Sequence, residues 1–89
     1  MPRLEYSERF AEDVARVTSA KVEARLYAAL DNVEAFGDFG SKVVPDSIRE
    51  GFGEGVRKVV VSPFDLVYTH YPDEDLVRVE ALVHQRAAR

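Results

Sequence analysis

The sequence predicts an α+β fold in which an N-terminal helical hairpin packs on one face of a small, mainly antiparallel sheet. Apolar residues recur at helical spacing as far as Phe36, all five glycines fall between Gly37 and Gly55, and from Val56 onward the apolar period becomes two. Helices first, a glycine-rich connector second and strands last give helices segregated to one side of a sheet.

The elements follow in order. "PRLEY" alternates Leu4 and Tyr6 with charge and fits a short first strand. Ser7 can cap a helix from about residue 8 to 17, with Glu8 at the positive end of its dipole and Phe10, Val14 and Val17 on one stripe. "VTSAKVEARLYAALDNVEAFG" is the strongest helix: Val22, Leu26, Ala29, Leu30, Val33 and Phe36 share a face, Thr18 or Ser19 caps it and Gly37 can close it. The segment "GDFGSKVVPDSIREGFGEG" reads as an irregular connector with room for a short extended piece at Val43-Val44 or Ile48-Arg49. Its "GFGEG" lacks the lysine and spacing of a nucleotide loop and reads as a turn.

Strands are expected in "VRKVVV", "FDLVYTHY" and "LVRVEALVH", the last two joined by a "PDED" turn. Strict alternation in the last strand assigns Val77, Val79, Ala81 and Val83 to the core. Leu76, Arg78, Glu80, Leu82 and His84 fall on the opposite face, which is expected to stay partly open.

A chain of 89 residues buries only about 60–65% of its unfolded surface, so one domain over residues 1–89 is expected. There is no cysteine, which removes disulfides, thiolate metal sites and a thiol nucleophile and fits a cytoplasmic protein. The N-terminus has acids and no apolar run, so neither a signal peptide nor a membrane span is expected. A net charge of -4 argues against nonspecific nucleic-acid binding. The charge is uneven, however: beyond Asp75 three arginines, Arg78, Arg86 and Arg89, face one acid, Glu80, and an anionic partner would meet that end first.

Four stretches in this order, "YSERFAEDV", "VEAFGDFGS", "RKVVVSPFDLVY" and "DLVRVEALVHQR", resemble the RelE/ParE toxin family of bacterial type II toxin-antitoxin modules. The last two are the most specific: an arginine-led strand, an aromatic-x-hydrophobic-hydrophobic-Tyr strand, and a strand closing on Val-His-x-x-Arg or similar. The resemblance implies a toxin held inactive by a cognate antitoxin laid across its exposed surfaces. RelE-like members cut mRNA on the ribosome with basic residues and often a C-terminal tyrosine; ParE-like members inhibit DNA gyrase.

Cleavage by 2'-OH attack needs a proton acceptor and cations around the phosphorane. The RelE-like alternative would use Lys58, Arg57, His84 and Arg86, with the ribosome and mRNA as partners. Yet Asp65 stands where cleaving members carry an arginine, and no tyrosine follows Arg86. An acid there repels phosphate, so the sequence favours a ParE-like gyrase inhibitor that acts by binding. A non-toxic binding module on the same fold is the remaining reading. Expected partner-binding residues are Arg57, Lys58, Tyr68, Arg78, His84 and Arg86, with a homodimer forming where an apolar strip is uncovered. Each has a plainer role as well: Arg57 and Lys58 as sheet-edge charges, Tyr68 as a core aromatic with its hydroxyl at the rim, His84 as a strand-end hydrogen bonder, and Arg86 as a solvated arginine. His70 with Asp73, Glu74 and Asp75 lacks the spacing of a metal loop, and neither metal nor cofactor is expected. Arg9, Arg16, Glu12 and Asp13 are expected to pair along the first helix.

Overall fold

The computed structural model describes residues 1–87. The chain runs β1 (Arg3–Tyr6), α1 (Glu8–Ala15), α2 (Ala20–Ala35), α3 (Asp46–Phe52), β2 (Val56–Val61), β3 (Phe64–Tyr71) and β4 (Leu76–His84). One sheet holds the strands in the order β1-β4-β3-β2, with β1 parallel to β4 and the other pairs antiparallel. This is the expected α+β architecture.

Both long helices start where the sequence places their caps. The Ser7 hydroxyl accepts the Phe10 N–H at 3.0 Å, and the Ser19 hydroxyl accepts the Val22 N–H at 3.3 Å. α1 packs chiefly on β4 and α2 on β2, so the hairpin straddles the sheet. Together they bury Phe10, Val22, Leu26 and Val33 against Val61, Leu66, Tyr68, Val77, Val79 and Leu82. α2 ends at a Phe36 cap in extended conformation rather than on a left-handed Gly37. Gly37 is required for another reason: the His70 ring lies over it, and a Cβ would collide with that ring.

The connector is not irregular throughout. Pro45 leads into α3, with Asp46 in its first turn, so the piece expected to be extended at Ile48-Arg49 is helical. Only seven residues long, α3 lacks the full amphipathic repeat that would have announced it. It lies on the sheet face opposite α1 and α2, where Val44, Ile48 and Phe52 pack on Val56, Val67, Ala81 and Val83. The middle of the face expected to be open is therefore covered.

Strict alternation in β4 also fails, at one residue. Val67 pairs with Ala81 and Tyr68 with Val79, so Glu80 is an extra residue in a β-bulge. The bulge reverses the facing beyond it: Val77, Val79 and Leu82 point to the long helices, while Ala81 and Val83 point to α3. β1 ends opposite Val79, and α1 takes over as neighbour of the β4 edge. The Ser7 N–H donates to the Val79 carbonyl at 3.0 Å, and its hydroxyl donates to the Glu80 carbonyl at 2.6 Å. The Leu82 N–H donates to Asp13 Oδ2 at 3.0 Å.

Asp13 thus satisfies a strand amide in place of a neighbouring strand, and its loss leaves a partly buried donor unpaired. Asp13→Ala is expected to cost about 1–3 kcal/mol. Urea unfolding would measure that cost; amide exchange at Leu82 no faster than in the parent would refute the assignment.

Candidate functional site

Two groups of polar side chains of the sheet lie on the α3 face. In one, Lys58 Nζ lies 3.6 Å from Asp65 Oδ2, and Asp65 Oδ1 accepts the Gln85 side-chain amide at 3.3 Å. The Asp65 side chain is 3% exposed and that of Lys58 23%, so the carboxylate is enclosed and the ammonium reaches water. In the other, Arg78 Nε bonds Glu80 Oε1 at 3.0 Å and its Nη1 bonds Glu5 Oε1 at 3.3 Å; the Thr69 hydroxyl donates to Glu80 Oε2 at 2.9 Å. Arg78 and Glu80 lie on one face, as the two-residue alternation places them, because the reversal at the bulge begins only at Ala81.

The end of β4 forms a second polar region. Phe64 meets the His84 ring edge-on, with centroids 5.5 Å apart. The Arg86 N–H donates to His84 Nδ1 at 3.1 Å, which leaves Nε2 as the protonated nitrogen of the neutral ring. Beside them a groove of about 290 Å³ is lined by Arg9, Asp13, Arg16, Phe64 and His84. Arg9 pairs with Asp13 at 3.5 Å, as expected for neighbours one turn apart. The Arg16 side chain has no ion-pair partner among the described residues.

The residues singled out from sequence are therefore distributed, not converged. Lys58 is on the α3 face, whereas Arg57 is on the helix face, where its Nη1 donates to the carbonyls of Gly40 at 2.8 Å and Asp38 at 3.2 Å. His84 and Arg86 stand together at the strand end, and Arg78 belongs to the Glu5–Glu80 network. Tyr68 is a correction: with no accessible surface it is not available to a partner. Its hydroxyl is not at the rim; it accepts the Gly40 N–H at 2.7 Å and donates to the Gly37 carbonyl at 2.9 Å. Arg89 lies outside the described residues.

Sequence reading missed the place of Arg9 and Arg16 in the groove at His84. Their separation of two helical turns put them on one side of α1, but only packing against β4 decides what that side faces. Among the described residues no helix is long and apolar enough to cross a membrane.

No protein-family profile matches the chain, and neither does any curated protein. Solved structures do. The Escherichia coli toxin RelE, in a doubly substituted form bound to an antitoxin RelBc peptide, superposes with a TM-score of 0.66 at 15% identity, over 99% of this chain and 95% of that one. A chain of the Escherichia coli DinJ–YafQ complex gives 0.56 at 20% identity, over 98% and 97%. At such identities the likeness is one of fold, and it extends along nearly the whole length of each protein.

Proposed function

We propose that this protein is the toxin of a bacterial type II toxin-antitoxin pair, held inactive by a protein partner and nearer the RelE-like than the ParE-like branch. The whole-length correspondence with RelE, a toxin found in complex with antitoxin peptide, carries this reading. The sequence had favoured ParE-like gyrase inhibition because of Asp65; the structural neighbours instead support the RelE-like alternative, with mRNA on the ribosome as target.

In that reading the RNA path runs from Lys58 past Gln85 to His84 and the Arg9–Arg16 groove. Lys58 and the arginines neutralise phosphate, and His84 Nε2–H is a hydrogen-bond donor for a phosphate oxygen. Asp65 tempers this site, because it holds Lys58 and lowers the local positive potential. One observation favours a second reading: the same ion pair suits a ParE-like protein that binds gyrase without chemistry.

Induced expression of the chain alone in bacteria separates them. Growth arrest with cut transcripts is expected; arrest with intact transcripts and lost supercoiling selects the gyrase reading, and soluble protein without arrest overturns the toxin role. With purified protein, Asp65→Asn is expected to bind single-stranded RNA more tightly. It should also steepen log K against log salt by about 0.7, the contribution of one additional phosphate contact. An unchanged slope would remove Lys58 from the RNA path.

A further inference from the structure

A groove of about 460 Å³ between α1 and α2 has an apolar floor that includes Leu26 and Leu30, with Asp31 and Glu34 at its edge. Lined by carboxylates and by no lysine or arginine, that groove repels phosphate. The cationic cleft lies elsewhere, where α1 meets the end of β4, and it has a second half. The groove of Arg9, Asp13 and Arg16 described above shares Arg16, Phe64 and His84 with a neighbouring groove of about 280 Å³ at the junction of α1 and α2. The two therefore meet at the edge-on Phe64–His84 pair.

The two halves differ in chemistry. The first is charged: its one carboxylate, Asp13, is engaged by the Leu82 N–H and by Arg9, whereas Arg16 has no ion-pair partner among the described residues. The second is apolar: Val17, Val22, Pro63 and Phe64 wall it, and no carboxylate lines it. Its neutral polar groups are two hydroxyls. That of Ser19 accepts the Val22 N–H at 3.3 Å and keeps its own proton to donate; that of Thr18 makes no hydrogen bond among the described residues. At about 290 and 280 Å³, each half falls just short of the roughly 300–1,000 Å³ that encloses an organic ligand. A ligand that uses the whole cleft thus carries an anionic part for one half and a flat, weakly polar part for the other.

We propose that this cleft binds one nucleotide unit of single-stranded RNA, with the phosphate at Arg16 and His84 Nε2–H and the base in the slot walled by Val17, Val22, Pro63 and Phe64. The inference rests on the RNA-cleaving reading and deepens it, by assigning one half of the cleft to backbone and the other to base. Arg16 supplies a charge-assisted contact that needs no partner displaced. A base gains from the slot by contact with an aromatic ring and by exclusion of water, which all four bases can supply. The Thr18 and Ser19 hydroxyls both donate and accept, so they suit the polar edge of any base. The slot therefore requires a base without choosing among them. The strand must be unpaired, because a base within a duplex is stacked and cannot enter a slot.

The experiment follows methyl and aromatic NMR signals of the purified chain while it is titrated with five probes: uridine monophosphate, adenosine monophosphate, ribose 5-phosphate, inorganic phosphate and the RNA trinucleotide UUU. Both mononucleotides are expected to shift the Val17 and Val22 methyls and the Phe64 ring. They should bind at least about fivefold more tightly than ribose 5-phosphate, the lower end of what one base stacked on an aromatic side chain contributes. The trinucleotide should bind more tightly still, and less so as salt rises. Thr18→Leu fills the slot from an exposed position with a side chain that offers no ring. It should reduce the mononucleotides to the affinity of ribose 5-phosphate, with inorganic phosphate binding and circular dichroism unchanged, whereas Arg16→Gln should weaken every probe by a similar factor. Equal affinity for mononucleotide and ribose 5-phosphate, slot signals that do not move, or indifference to Thr18→Leu would each overturn the proposal. A slot that takes mononucleotides but excludes the trinucleotide overturns it too, since the occupant is then a free nucleotide. Transcripts cut in cells by a chain whose slot binds nothing would sink this proposal alone; a slot filled as expected in a chain that cuts no transcript would sink only the cleavage reading.

Discussion

Tyr68→Ala is expected to leave the protein largely unfolded at 37 °C. The ring is fully buried in the main core, and truncating a large buried aromatic costs about 3–5 kcal/mol. That is a large share of the stability of a domain this small. The hydroxyl has its own task. It accepts the Gly40 N–H and donates to the Gly37 carbonyl, both in buried backbone, and so fastens the loop after α2 to the sheet. Gly40 is matched to it: a Cβ there would come within 2.8 Å of the Tyr68 ring and 2.9 Å of the Lys58 carbonyl. Tyr68→Phe keeps the ring and leaves both loop groups unpaired, for an expected loss of about 1–3 kcal/mol, or roughly 5–20 °C in Tm.

The pH dependence separates ring from hydroxyl. Burial raises the Tyr68 phenol above the ordinary tyrosine range, so the folded protein holds that proton more tightly than the unfolded chain does. The stability this confers is complete below pH about 10 and is lost as pH rises further. The difference between parent and Tyr68→Phe should therefore narrow above pH about 10 in thermal melts; a gap that stays constant would show that the hydroxyl is not held as described.

Leu26→Ala is expected to cost about 2–5 kcal/mol, because the side chain has no accessible surface and lies where α2 meets both the sheet core and the floor of the apolar groove. The cost should fall toward the lower end if the groove collapses into the space, and toward the upper end if a cavity persists. Urea unfolding reads the value. A loss well under 1 kcal/mol would mean that Leu26 is not at the junction, and the groove floor would have to be redrawn.

Much of the molecule was legible before any coordinates. Helical spacing from Val22 to Val33, the Ser7 and Ser19 caps and the two-residue period after Val56 were sufficient for the helix-on-sheet architecture, because each is a local pattern that packing merely accepts. α3 was not legible, since seven residues give too little periodicity to distinguish a helix from a turn. The bulge at Glu80 was not legible either. One inserted residue leaves the composition of β4 unchanged yet reverses the face of every side chain beyond it, and only pairing with β3 reveals it.

The sites divide along the same line. The sequence by itself determined which residue types were available: no cysteine, two histidines, a cationic C-terminal segment in an acidic chain, and Asp65 among the candidate cations. Tertiary structure alone decided how they meet. It turned Arg57 to the helix face and Lys58 to the α3 face, buried Tyr68, brought Arg9 and Arg16 of α1 to His84, and opened an acid-edged groove between helices that local pattern shows only as two amphipathic stripes. Local propensity acts over a few residues and fixes each element, whereas a site depends on the relative placement of elements far apart in the chain, which long-range packing and strand register set.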